Sequence, residues 1–80
     1  MDLKSTKGGD DMTNTLELEI AIKRARMRKK DIAKLLGLSM MGLYKKTHNL
    51  SEFKASEISK LVTTLKISTL EEKEKIFFAT

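Results

Sequence analysis

The chain has no cysteine, no proline and no tryptophan in its 80 residues, and only four glycines. Without thiols there is neither a disulfide framework nor a thiolate zinc site, so stability has to come from packing, and a cytoplasmic location is the expectation. Without proline, and with little glycine, long segments stay free to be helical. No apolar run approaches the roughly 18 residues that a membrane span needs, and the polar N-terminus does not resemble a signal peptide. A soluble protein with no membrane partner follows as the expectation. The chain is also short of catalytic chemistry. No Ser/His/Asp constellation is recognisable, the lack of cysteine excludes a Cys/His set, a single histidine excludes an HxxxH pair, and no glycine loop of the GxxxxGKS kind is present. The carboxylates fall mainly at exposed positions of amphipathic segments. No enzyme activity, no cofactor and no metal are expected.

What is present is charge, and it is unevenly placed. The hydrophobic fraction of 40% and the charged fraction of 34% are ordinary for a globular domain, and 80 residues suffice for one small core only. The net charge of +5 suits a polyanionic partner. Lys23, Arg24, Arg26, Arg28, Lys29 and Lys30 fall within eight residues, followed by Lys34, Lys45 and Lys46, whereas Glu71, Glu72 and Glu74 lie near the other end. The same cluster also fits a solvated helix face that keeps the protein soluble.

Apolar spacing and capping residues predict five helices behind a tail. Residues 1–12, with Gly8-Gly9 and Asp10-Asp11, show no periodicity and read as a disordered tail or an added segment, with Met12 as an alternative start; the domain proper is expected over 13–80. Asn14 with Glu17 resembles a capping box and opens a first helix from Thr15 to Met27, with Leu18, Ala21 and Ala25 buried and Leu16, Ile20 and Met27 flanking them. A second helix covers Lys29 to Leu36, with Ile32, Leu35 and Leu36 at helical spacing and the small Ala33 allowing close approach. Gly37 makes a tight turn, Ser39 caps a third helix over Met40 to Thr47, and residues 48–51 form a loop. Ile58, Leu61, Val62 and Leu65 mark the buried stripe of a fourth helix from Lys54 to Leu65. Ser68 and Glu71 form a second capping box before a fifth helix that carries Leu70, Ile76, Phe77 and Phe78. Successive residues lie about 100° apart around a helix axis, so Phe77 and Phe78 cannot share one face: Phe77 suits the core beside Leu61 and Leu65, and Phe78 points to solvent or a second chain.

Residues 28–48, RKKDIAKLLGLSMMGLYKKTH, therefore read as a helix-turn-helix, whose second helix offers its outer face to base edges in a DNA major groove. In that arrangement Lys29 and Lys30 are candidate phosphate contacts, Lys46 adds to DNA affinity, Ser39, Met40, Met41 and Lys45 stand at or near the bases, with Lys45 suited to guanine, and Tyr44 reaches a base or a phosphate. His48 and Asn49 follow in the loop, where His48 serves as a phosphate or water contact or is simply exposed, and is less suited to a metal. Two roles fit the methionines: contact with thymine methyl groups, or an apolar patch for a protein partner or second subunit. Met41 also suits a place in the core beside Leu38, and Leu43 is core.

On these residues the chain resembles the Cro/C1-type helix-turn-helix superfamily of phage repressors, and within it the small Cro-like phage and prophage regulators. The likeness runs from Leu16 to Phe78 and rests on KDIAKLLGLS, on HNLSEFKASEISKLVTTLKIS and on the ending TLEEKEKIFFA. It implies an all-α, compact five-helix bundle of the lambda repressor-like type. It also implies sequence-specific binding to double-stranded operator DNA, usually as a homodimer on a palindromic site, with no cofactor. A protein-binding, antirepressor-like modulator on the same scaffold is the alternative. The chain departs from the family pattern in three places. Arg28 and Lys29 stand where threonine or serine followed by glutamine is frequent, and Met40, Met41 and Gly42 replace polar base-reading residues. Thr47 occupies a position where many relatives bury leucine or isoleucine, which loosens the expected anchoring of the third helix.

Overall fold

The computed structural model describes residues 12–79, and within them the chain forms five helices and no strand: α1 (Thr15–Arg24), α2 (Lys29–Leu36), α3 (Met40–Thr47), α4 (Ala55–Thr64) and α5 (Leu70–Phe77). The tail expected over residues 1–11 lies outside the described part. Met12, assigned to that tail from sequence, exchanges backbone hydrogen bonds with Ala79 (Met12 N to Ala79 O 3.3 Å, Ala79 N to Met12 O 2.9 Å), and the Asn14 amide donates to Ile76 O at 2.7 Å. These bonds clip the start of the fold to its end, and α1 packs against α5 while α2 packs on α3 and α4.

Local chemistry accounts for where the helices begin. Asn14, Ser39 and Thr69 have extended backbones, and their side-chain oxygens accept from the amides of Glu17, Gly42 and Glu72 respectively. The expected Ser68 cap is thus displaced by one residue to Thr69. At Asn14 only half of a capping box forms: its amide is taken by Ile76 O, and the Glu17 carboxylate pairs with Lys75 on α5 at 3.4 Å. Arg28 and Lys54 have no side-chain oxygen to offer, so the reciprocal half operates there, with the Arg28 amide donating to Asp31 and the Lys54 amide to Glu57.

Four helices end in one motif. After α1, α2, α3 and α4 the residues Arg26, Gly37, Asn49 and Lys66 adopt left-handed backbones, at φ 60°, 69°, 64° and 57°. In each case the following amide reaches back to a carbonyl five residues earlier: Met27 to Ile22, Leu38 to Ala33, Leu50 to Lys45 and Ile67 to Val62. This is the Schellman arrangement, which satisfies carbonyls that the helix end leaves unpaired. It ends α1 at Arg24 rather than Met27. Because the left-handed conformation costs a side-chain-bearing residue about 1 kcal/mol, Lys66→Gly is expected to raise the melting temperature by a few degrees, and Gly37→Ala to lower it similarly. At Gly37 an added Cβ meets nothing within 4 Å, so the loss in a thermal melt measures backbone strain alone.

The core is assembled from Leu18, Ala21, Ile22, Ile32, Ala33, Leu36, Leu43, Leu61, Leu65, Ile67, Ile76 and Phe77. Of the expected stripe of α4, Leu61 and Leu65 belong to this set and Ile58 and Val62 pack against it partly buried, while Leu43 and Phe77 are buried as expected. On α1 the buried face turns toward Ile22, which the sequence reading left out, and Leu16 and Ile20 are exposed; Leu35 on α2 is at the surface as well. Phe53, in the loop before α4, adds an aromatic edge against Phe77 at a centroid distance of 5.9 Å. Phe78 remains 36% exposed, as its angular offset from Phe77 requires.

Candidate nucleic-acid interface

The turn from Gly37 to Ser39 sets the direction of α3. Leu43 and Thr47 point inward from that helix, so Met41, Tyr44, Lys45 and His48 fall on its outer side at helical spacing. Met40, Met41 and Tyr44 expose 52%, 61% and 52% of their surface, which excludes the placement of Met41 in the core beside Leu38. Tyr44 and His48, one helical turn apart, stack with ring centroids 4.2 Å apart and planes tilted by 32°. The stack extends the apolar strip begun by the two methionines and confines the Tyr44 ring. Ser39 is at the surface, but its hydroxyl oxygen is engaged by the Gly42 amide at 3.0 Å. The buried Thr47 is held by hydrogen bonds in place of hydrocarbon. Its hydroxyl donates to Tyr44 O at 3.0 Å and its carbonyl accepts from the Thr15 hydroxyl at 2.5 Å, which fastens the end of α3 to the start of α1.

Of the candidate cations, Lys30 and Lys45 are exposed and form no ion pair among the described residues, and Lys34 on α2 shares that condition. Lys29 pairs with Glu19 at 2.9 Å on the surface; its hydrogen bond and charge hold the Glu19 carboxyl below its ordinary pKa. A surface pair of this kind contributes roughly 0–1 kcal/mol, so Lys29 can exchange Glu19 for another anion at little cost.

Lys46 is placed differently from its neighbour. Its ammonium lies 2.6 Å from Glu57 Oε1, with only 12% and 9% of the two side chains exposed, so α3 is tied to α4 by a nearly buried ion pair. The same carboxylate oxygen accepts the Lys54 amide at 2.8 Å, so Glu57 caps α4 and binds α3 at once. Burial pushes the Glu57 pKa up, but the hydrogen bonds from Lys46 and Lys54 and their charges outweigh it, and the carboxyl sits below its ordinary value.

Asn49 is exposed, but its side-chain amide is engaged. Its Oδ1 accepts the Thr13 amide at 2.8 Å and its Nδ2 donates to Thr13 O at 2.9 Å, so a side-chain amide pairs with one backbone unit as a neighbouring strand would. Asn49 is thereby both the left-handed residue after α3 and the anchor of the N-terminal segment. Asn49→Ala is expected to destabilise the fold by about 2 kcal/mol, since it strands two polar groups and strains the backbone. Asn49→Gly keeps the backbone and loses only the bonds, so the difference between the two melts separates the contributions.

Sequence reasoning missed Glu57 and Thr13 as partners. The Lys54-x-x-Glu57 spacing was the available signal for the first, and the second had none. Among the described residues no group of three or more His, Cys, Asp or Glu side chains is placed to hold a metal ion, and no helix is long and apolar enough to cross a membrane. Comparison of the chain with protein-family models, with curated proteins and with solved structures finds no match.

Proposed function

We propose that this protein is a sequence-specific DNA-binding transcriptional regulator of the small Cro-like phage or prophage type, in which α2, the Gly37 turn and α3 act as a helix-turn-helix with α3 in the major groove. The observation that carries this reading is the outer side of α3. Met41, Tyr44, Lys45 and His48 line it, Met40 is exposed at its start, and the cations Lys30 and Lys34 stand on the preceding helix. A groove about 12 Å wide admits one helix, and lysines beside that helix neutralise phosphates. In this reading Lys29, Lys30 and Lys45 face the duplex, while Lys46 and Asn49 hold the helix from behind. The operator is double-stranded DNA, read by a homodimer whose two α3 helices lie about 34 Å apart.

The test is fluorescence anisotropy of the purified chain on duplexes selected from a random pool and on unselected duplex, each at two salt concentrations. A steep fall of affinity with salt on both, and a preference for the selected duplex that survives at higher salt, is the expected result. Absence of binding to either rejects the reading.

A second reading, a protein-binding modulator, draws on a separate feature. Met12, Phe53, Ile58, Phe77 and Phe78 line a groove of about 370 Å³ on the face formed by the N-terminal segment, the α3–α4 loop and α5. Sedimentation of the chain alone and on duplex separates the two, because the modulator reading requires a complex without DNA.

A further inference from the structure

We propose that α3 recognises its duplex chiefly through the C5-methyl groups of pyrimidines, so that the site is defined by thymines and accepts 5-methylcytosine where it rejects cytosine. The proposal rests on the DNA-binding reading above and names what that surface reads.

Base readout requires side chains of particular chemistry. Adenine is distinguished by the paired donor and acceptor of asparagine or glutamine, and guanine by the two donors of arginine or by lysine. The chain contains no glutamine and two asparagines, and both asparagines are occupied: Asn14 caps α1 through Glu17, and Asn49 is bonded twice to Thr13. Its three arginines lie before α2, with Arg24 paired to Glu72 on α5 and Arg28 preceding the first turn of α2. None stands on α3. The Ser39 hydroxyl oxygen already accepts the Gly42 amide, and Gly42 has no side chain.

Lys45 remains as a charged donor able to reach guanine, together with the Tyr44 hydroxyl, the O–H that Ser39 keeps while its oxygen caps α3, and the His48 ring. Everything else the start of α3 presents is thioether and hydrocarbon, from Met40 and Met41. In the major groove the apolar feature of a base pair is the C5-methyl group of thymine, and cytosine acquires the same group on methylation. Methionine suits this contact because its unbranched, polarisable side chain adapts to a small protruding methyl. Met41 lies on the outer side of α3, and Met40, about 100° around the axis at its first turn, is exposed beside the Gly37 turn. The cations on α2 and α3 decide between possible occupants, since a duplex offers methyl groups framed by phosphates and an apolar protein surface does not.

The experiment uses the duplex enriched from the random pool, prepared with thymidine and then with deoxyuridine at single positions. Uracil preserves every hydrogen-bonding group and removes only the methyl. Loss of one methyl under α3 is expected to weaken binding about threefold to tenfold, at two or more positions. Exchanging one of those T·A pairs for C·G is expected to weaken binding, and 5-methylcytosine in the same place to restore part of the loss. Met40→Ala and Met41→Ala, both at exposed positions and checked for unchanged melting, should abolish the difference between thymidine and deoxyuridine duplexes while the salt dependence stays. Equal binding of the two duplexes by the unaltered protein overturns this proposal and leaves the DNA reading intact. Failure to enrich any duplex overturns both.

Discussion

Lys46→Met is expected to destabilise the fold by roughly 3 kcal/mol, because it leaves the Glu57 carboxylate nearly buried with the Lys54 amide as its one remaining partner. The double variant Lys46→Met with Glu57→Gln should recover most of that loss, since a neutral glutamine oxygen can still accept from Lys54 and no charge is left unpaired. Urea unfolding of the two single variants and the double variant closes the cycle, and a strictly additive outcome would show that the pair does not couple α3 to α4. The pair also fixes a pH response. The folded-state pKa of Glu57 lies below its unfolded value, so its contribution is fully present above the unfolded carboxylate pKa of about 4.3 and is lost as pH falls through the folded value. Wild type should therefore lose stability below about pH 4 more steeply than Glu57→Gln, with the difference between the two curves absent at neutral pH in slope though not in height. A wild-type curve that runs parallel to that of Glu57→Gln down to acid would exclude this assignment.

Lys30→Ala and Lys45→Ala are expected to weaken DNA binding in two distinguishable ways, under the DNA-binding reading. Lys30, exposed on α2 and unpaired among the described residues, would contact a phosphate. Its loss should lower affinity for every duplex and reduce the salt slope by about one unit. Lys45, on the outer side of α3, would reach a base, so its loss should relax discrimination at one base pair by about 1–3 kcal/mol, or roughly fivefold to 150-fold. Lys46→Met is the internal control: any effect on binding should track its effect on folding, because its ammonium is engaged by Glu57. Anisotropy titrations on one selected duplex and its single-pair variants measure all three. Identical losses on all duplexes from Lys30→Ala and Lys45→Ala would remove Lys45 from the reading role.

The bonds of Lys46 and Asn49 also bear on how α3 is anchored. The sequence reading expected a loosely held third helix, because Thr47 replaces an apolar residue. Three polar fastenings hold it in place: Thr47 to Thr15, Asn49 to Thr13 and Lys46 to Glu57. Two of them tie the end of α3 and the turn after it to the start of α1, and the third ties α3 to α4. Hydrogen bonds at fixed geometry orient a helix more narrowly than hydrocarbon contact does, which under the DNA-binding reading would hold α3 in place for the groove.

The sequence by itself determined what depends on neighbouring residues. Caps at Asn14 and Ser39, the left-handed turn at Gly37 and the i, i+3, i+4 stripe of α4 were legible because their causes lie within one or two helical turns. The extent of α2 and α3 was legible for the same reason, bounded as they are by Arg28, Gly37 and Ser39. Tertiary structure decided the rest. The sequence left Met41 open between the core beside Leu38 and the surface, and the packed position of α3 puts it at the surface. On α1 the burial of Leu18 and Ala21 was legible, but the inclusion of Ile22 in the core depends on how α1 packs against α5. Lys45 and Lys46 are chemically alike and adjacent, yet about 100° of rotation puts one in solvent and the other against Glu57. Asn49 and Thr13 are separated by 36 residues, so no local pattern could pair them. Their bond exists because the closing of the core brings the end of α3 beside the start of the fold, where a backbone unit without a helix partner needs one.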